Sequence, residues 1–132
     1  MRELIDRSPT LSEASKEERE GVLAQVIVPW VQWFLRHDPA PVLEAVRCPV
    51  LALNGTLDIQ VPSEVNLGAI KAALTRGKDS DFEIHAFEGL NHLFQHCETG
   101  EVKEYGEIEE TCSPEVLEVL AGWISERFLS ER

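Results

Sequence analysis

The chain has 132 residues, 43% of them hydrophobic and 27% charged, which suits one modest globular domain. Twelve basic against 24 acidic residues give a net charge of −12, a surface that repels phosphate backbones and anionic lipid, so neither nucleic acid nor membrane is expected as a partner. No apolar run approaches the ~18 residues that cross a bilayer, the segment Met-Arg-Glu-Leu-Ile-Asp-Arg-Ser at the start has no apolar core of the signal-peptide type, and a cytoplasmic location is expected.

Residues 1–14 are polar, with Pro9 and several Ser and Thr, and read as an irregular arm. From Ser15 a helical pattern begins, with Val22, Leu23, Val26 and Ile27 at helical spacing behind the solvated charged run of residues 16–20. Pro29 interrupts it and suits the first turn of a second short helix carrying Trp30, Trp33 and Phe34, which are expected to pack as core or cap helix. The break Asp38-Pro-Ala-Pro41 follows, and Asp38 is placed to cap a short helix through Val46.

The uninterrupted apolar run Val50-Leu-Ala-Leu53, closed by Asn54-Gly55, predicts a strand buried on both faces, as in a parallel sheet. Ser63 is the expected N-cap of a helix with Leu67, Ile70 and Leu74 on one face and Gly77 as its stop. A turn at 78–80 leads to the alternating stretch Asp81-Phe-Glu-Ile-His-Ala-Phe87, a second and less buried strand ended by Gly89-Leu-Asn-His92. Residues 95–112 read as an acidic, solvated loop with Gly100 and Gly106. Ser113-Pro114 opens the last helix, whose stripe is Val116, Leu117, Leu120, Trp123, Ile124 and Phe128. The expected fold class is α/β: a small parallel βαβ sheet flanked by helices, with residues 15–132 as a single domain divided into helices over 15–47 and the strands and their helices over 48–132.

Asp58 and His92 follow the ends of consecutive parallel strands and so share the sheet edge where the ligands of open α/β sheets collect. A carboxylate that accepts a hydrogen bond from an imidazole fixes its tautomer and stabilises the imidazolium, which is the acid–base half of a Ser-His-Asp triad. Asp58 is also a residue type that commonly serves a turn, and a lone loop histidine commonly serves structure. His92, His96 and Cys97 contain a ligand-like His-x-x-x-His spacing, but no fourth ligand is well placed and no metal or other cofactor is expected. Three cysteines, Cys48, Cys97 and Cys112, cannot all pair within one chain, show no Cys-x-x-Cys spacing, and are expected as reduced, mostly packed thiols. Cys97 has no sequence feature that marks it as a nucleophile.

Taken together these segments resemble the C-terminal portion of an α/β-hydrolase. Pro49-Val-Leu-Ala-Leu-Asn-Gly-Thr-Leu-Asp58 is similar to the strand that ends in that family's catalytic acid, and Val61-Pro62 to the proline that follows it. Gly89-Leu-Asn-His92 is similar to the segment that places the catalytic histidine, and the terminal helix and the residues from Pro29 onward extend the likeness over 29–132, as in esterase- and peptidase-like members. The resemblance implies a partial α/β-hydrolase fold with Asp58 and His92 as catalytic acid and base. It departs from the family where the nucleophile belongs: no Gly-x-Ser-x-Gly occurs, and Ser8, Ser12 and Ser15 follow no apolar strand.

Two readings follow. In one, a truncated hydrolase holds triad remnants, is inactive alone and self-associates, with a homodimer expected because the Val50–Leu53 strand has an open edge. In the other, the chain is half of a split serine hydrolase for an ester, thioester or peptide, completed by a partner chain that bears Gly-x-Ser-x-Gly.

Overall fold

The computed structural model describes residues 14–26, 28–77 and 81–129. The expected arm over 1–13, the turn at 78–80 and the side chains of Leu23, Val26 and Ile27 lie outside the described residues. Two compact units are present, Met1–Asp38 and Pro39–Arg132.

The first unit contains α1 (Lys16–Val26) and α2 (Pro29–Arg36). α1 begins with a capping box. The Glu18 N–H donates to Ser15 Oγ at 3.2 Å and the Ser15 N–H donates to the Glu18 carboxylate at 2.8 Å, so two backbone donors at the helix start are satisfied reciprocally. In α2, Pro29 occupies the first turn, Trp30 stacks on Phe34 with ring centroids 5.5 Å apart, and Trp33 stacks on His37 at 4.7 Å. The expected packing of these aromatics as core is not what the unit shows. Trp30, Trp33 and Phe34 are 65%, 59% and 58% exposed.

The second unit is mixed α/β. Its elements are α3 (Ala40–Glu44), β1 (Val50–Gly55), α4 (Ser63–Arg76), β2 (Phe82–Phe87), a 3₁₀ turn (Val102–Gly106) and α5 (Pro114–Ile124), which runs on into one wider π turn (Ser125–Leu129). β1 and β2 form a two-stranded parallel sheet in register from Val50 opposite Phe82 to Gly55 opposite Phe87, with α4 as the crossover. Alternation along the strands divides the residues between two faces. Leu53 and Phe87 pack with Leu90, Phe94, Cys112, Val116 and Val119, which places α5 on that face. α4 packs on both strands and on α3, and buries Leu67, Ala73 and Leu74.

Several local expectations change. β1 is buried only toward its carboxyl end, at Ala52, Asn54 and Gly55, while Val50, Leu51 and Leu53 are half-buried, because the strand has one neighbour instead of two. α3 is shorter than the expected run to Val46, spanning Ala40–Glu44 with Pro39 in the N-cap position. Ser63 is likewise the first residue of α4. Pro62 takes the N-cap position without a capping side chain, and Asn66 Nδ2 donates to its carbonyl at 2.9 Å. Ser113 does sit at the N-cap of α5, but its hydroxyl is buried without a hydrogen bond to the helix. Of the α5 stripe, Val116 is buried, whereas Leu117, Leu120, Ile124 and Phe128 are exposed. The cysteines are free, with Cys48 exposed and Cys97 and Cys112 half-buried.

Gly77 ends α4 for a packing reason. A Cβ there would lie 2.8 Å from Glu44 Cα, so the absent side chain lets α3 cross the end of α4. Arg76 Nε then donates to Glu44 Oε1 at 2.7 Å across the same junction.

Candidate functional site

The carboxyl ends of β1 and β2 bring Asp58 and His92 together. Beyond Gly55 the chain turns sharply, with the Asp58 N–H donating to the Gly55 carbonyl at 3.2 Å. Beyond Phe87 it passes Gly89, at φ 73°, and runs alongside the β1 turn. Gly89 N–H donates to Thr56 Oγ1 at 2.9 Å, Thr56 N–H to the Phe87 carbonyl at 2.8 Å, and Leu57 N–H to the Leu90 carbonyl at 3.0 Å. The two loops can come this close only because residue 55 is glycine. A Cβ at Gly55 would lie 2.6 Å from the Leu90 carbonyl carbon and 2.8 Å from the Asn91 carbonyl oxygen.

His92 Nδ1 lies 2.9 Å from Asp58 Oδ2. The Asp58 side chain is 4% exposed and the His92 ring 40% exposed, so the pair presents its imidazole outward from a buried carboxylate. Burial acts to raise the Asp58 pKa, but the Val61 N–H, the His92 ring and the Gln60 N–H outweigh it and hold the carboxyl below its ordinary value. Both oxygens are engaged. Oδ1 accepts the N–H groups of Gln60 at 3.0 Å and Val61 at 2.8 Å, while Oδ2 accepts from His92 and from Asn54 Nδ2 at 3.0 Å. Asp58 therefore serves its turn and orients the histidine at once. Among the described residues, none hydrogen-bonds to His92 Nε2, the ring nitrogen that faces away from Asp58.

The loop that carries His92 is rigidly tied. Asn91 is fully buried, its Oδ1 accepts the N–H groups of Leu93 at 2.9 Å and Gln95 at 3.0 Å, and its Nδ2 donates to Gln95 Oε1 at 3.0 Å. Gln95 Nε2 reaches on to the Glu110 carbonyl at 2.8 Å. Phe94 is held at φ 58°, a left-handed conformation unusual for a side-chain-bearing residue, and its carbonyl accepts the Ser113 N–H at 2.7 Å. These interactions join the histidine loop to the start of α5.

Asn54, Asn91 and Gln95 carry as much of this geometry as the paired residues. In the sequence Asn54 reads only as punctuation after an apolar run. The signal that could have found it is its position, at a strand end four residues before a lone aspartate.

The acidic stretch is more structured than a solvated loop. Glu110 accepts the His96 N–H at 2.7 Å and lies 2.9 Å from His96 Nδ1, and these two bonds hold its pKa down. Glu104 accepts from the Gly100 N–H at 3.0 Å. An open cavity of about 490 Å³ lies here, lined by His96, Cys97, Glu98, Glu104, Glu107 and Ile108, and it excludes both Asp58 and His92. Burial pushes the Cys97 thiol up, the Gly100 N–H opposes this and Glu104 adds to it, which is the reverse of an activated nucleophile. Among the described residues no group of three or more His, Cys, Asp or Glu side chains is arranged to hold a metal ion, and no helix is long and apolar enough to cross a membrane.

No protein-family model, curated protein or solved structure matches the chain.

Proposed function

We propose that these 132 residues supply the acid and the general base of a Ser-His-Asp hydrolase site, with the nucleophile lying outside them. The observation that carries this reading is the 2.9 Å contact between His92 Nδ1 and a buried, fully hydrogen-bonded Asp58, which leaves Nε2 on the accessible side of the ring. In such a site the carboxylate keeps the proton on Nδ1 and stabilises the imidazolium, while Nε2 takes the proton of an attacking hydroxyl and returns it to the leaving group. Two further features support it. Both residues follow the carboxyl ends of adjacent parallel strands, where α/β sheets gather catalytic groups. The order strand, acid, helix, strand, histidine, helix is also that of the terminal part of an α/β-hydrolase.

Without Gly-x-Ser-x-Gly the chain alone lacks the attacking oxygen, so on this reading it does not turn over esters, thioesters or peptides by itself. The accessible Nε2 favours one extension: a split site completed when a second chain presents a serine to that nitrogen. Fluorophosphonate labelling and nitrophenyl-ester hydrolysis test both statements. The purified chain should neither label nor turn over. Added to a hydrolase segment that contains Gly-x-Ser-x-Gly but lacks its own acid and histidine, it should restore labelling of that serine, and His92→Ala should abolish the restoration. Turnover by the chain alone that disappears in His92→Ala would refute the missing nucleophile. A His92 imidazole lacking the Nδ1–H tautomer by ¹⁵N NMR would refute the acid–base assignment itself.

A further inference from the structure

We propose that the free edge of β1 is a pairing surface for a second copy of this chain, joined about a two-fold axis to make a four-stranded sheet in the order β2, β1, β1, β2. The ladder shows which groups are available. Val50 N–H donates to the Asp81 carbonyl at 3.0 Å and Thr56 N–H to the Phe87 carbonyl at 2.8 Å, so the even-numbered residues of β1 turn their N–H and C=O toward β2. Leu51 and Leu53 therefore turn theirs to the opposite edge. The Gly55 carbonyl on that side is already taken by the Asp58 N–H. Among the described residues nothing pairs with Leu51 and Leu53 on that side, each of which offers one donor and one acceptor along an apolar strand.

That arrangement is self-complementary. With the axis beside Ala52, Leu51 of one copy faces Leu53 of the other, and each pair exchanges both hydrogen bonds in the closely spaced antiparallel pattern. An isologous contact of this kind closes on itself and does not propagate into a fibre. Charge selects the same edge. The chain carries −12 overall, so two copies repel at most contacts, yet residues 48–57 contain no charged side chain. β2, by contrast, carries the charged Glu83, bonded to Arg127 at 2.7 Å, and charged side chains protect an edge from pairing. β1 has no such protection.

The test uses a proline. Because the Leu51 N–H points away from β2, Leu51→Pro removes a donor that the single copy does not use, and proline is tolerated in strands at such positions. Ala52→Pro removes a ladder donor and serves as the disruptive control. At about 100 µM the unaltered chain should show twice its 14.8 kDa mass by light scattering, whereas Leu51→Pro should show the single mass with an unchanged circular dichroism spectrum. Hydrogen exchange covers the case in which Leu51→Pro fails to fold. The Leu51 and Leu53 amides of the unaltered chain should become protected as concentration rises, with the even-numbered β1 amides protected throughout. A single mass at that concentration would overturn the proposal. So would a dimer that persists in Leu51→Pro, or one in which the Leu51 and Leu53 amides exchange freely.

Discussion

Asp58 Oδ2 accepts two hydrogen bonds at once, from His92 Nδ1 at 2.9 Å and from Asn54 Nδ2 at 3.0 Å. Asn54 Nδ2 also donates to the Val61 carbonyl at 3.2 Å, so one buried amide holds both the carboxylate and the backbone that follows it. The histidine is oriented by a carboxylate that is itself oriented, which is how a side chain becomes fixed well enough to act on another group.

Removing that amide should loosen the pair. Asn54→Ala leaves the half-buried Val61 carbonyl and one bond of the buried Asp58 carboxylate without a donor, at a cost of about 1–3 kcal/mol. The expected outcome is a lower urea midpoint with unchanged slope, and a broadened His92 ring signal by NMR. A full-strength His92–Asp58 contact in Asn54→Ala would show that the backbone donors of Gln60 and Val61 suffice.

The tautomer of His92 is set by Asp58. In the unaltered chain neutral His92 should carry its proton on Nδ1, and Asp58→Ala should return it to a mixture of the two forms, read from ¹⁵N ring shifts. An unchanged tautomer in Asp58→Ala would assign its control to another group.

Gly55→Ala should separate the two loops. The new Cβ would meet backbone atoms of Leu90 and Asn91, and neither can rotate away. A loss of about 3 kcal/mol is expected, at the upper end for overpacking because the obstruction is main chain. His92 should move from Asp58 in the same variant. Gly89→Ala, where space is open but φ is 73°, should cost less, about 1–2 kcal/mol.

Acid should weaken the fold partly through Asp58. Its folded pKa is depressed, so it binds fewer protons folded than unfolded near that value. Its contribution is present above the unfolded aspartate pKa of about 3.9 and is lost as pH falls through the lower folded value. Asp58→Asn should therefore be less stable than the unaltered chain at pH 7 and should show a flatter decline below about pH 4. Parallel declines in the two proteins would contradict the assignment.

Leu74, 1% exposed on α4, tests the sheet's cover. Leu74→Ala should cost about 2–5 kcal/mol, whereas Val65→Ala, 71% exposed on the same helix, should stay within about 0.5 kcal/mol.

Local pattern alone determined the strands at Val50 and Phe82, the helices opening at Pro29 and Pro114, the stop at Gly77, and the shared edge of Asp58 and His92. Each is set by features readable in a few residues: an apolar run, an alternation, a proline or a glycine. Even the pairing of Asp58 with His92, 34 residues apart, followed from the parallel connection, since a βαβ unit brings the ends of its strands to one edge. Tertiary structure decided the rest. Burial of β1 depended on how many strands flank it, and the exposure of Leu117 and Phe128 on whether a second layer reaches them. The role of Asn54 depended on a carboxylate four residues away turning back toward it, and the need for glycine at 55 on the approach of a loop from the far side of α4. Apart from the Asn54–Asp58 bond, these are contacts between segments distant in sequence, and no window of neighbouring residues contains both partners.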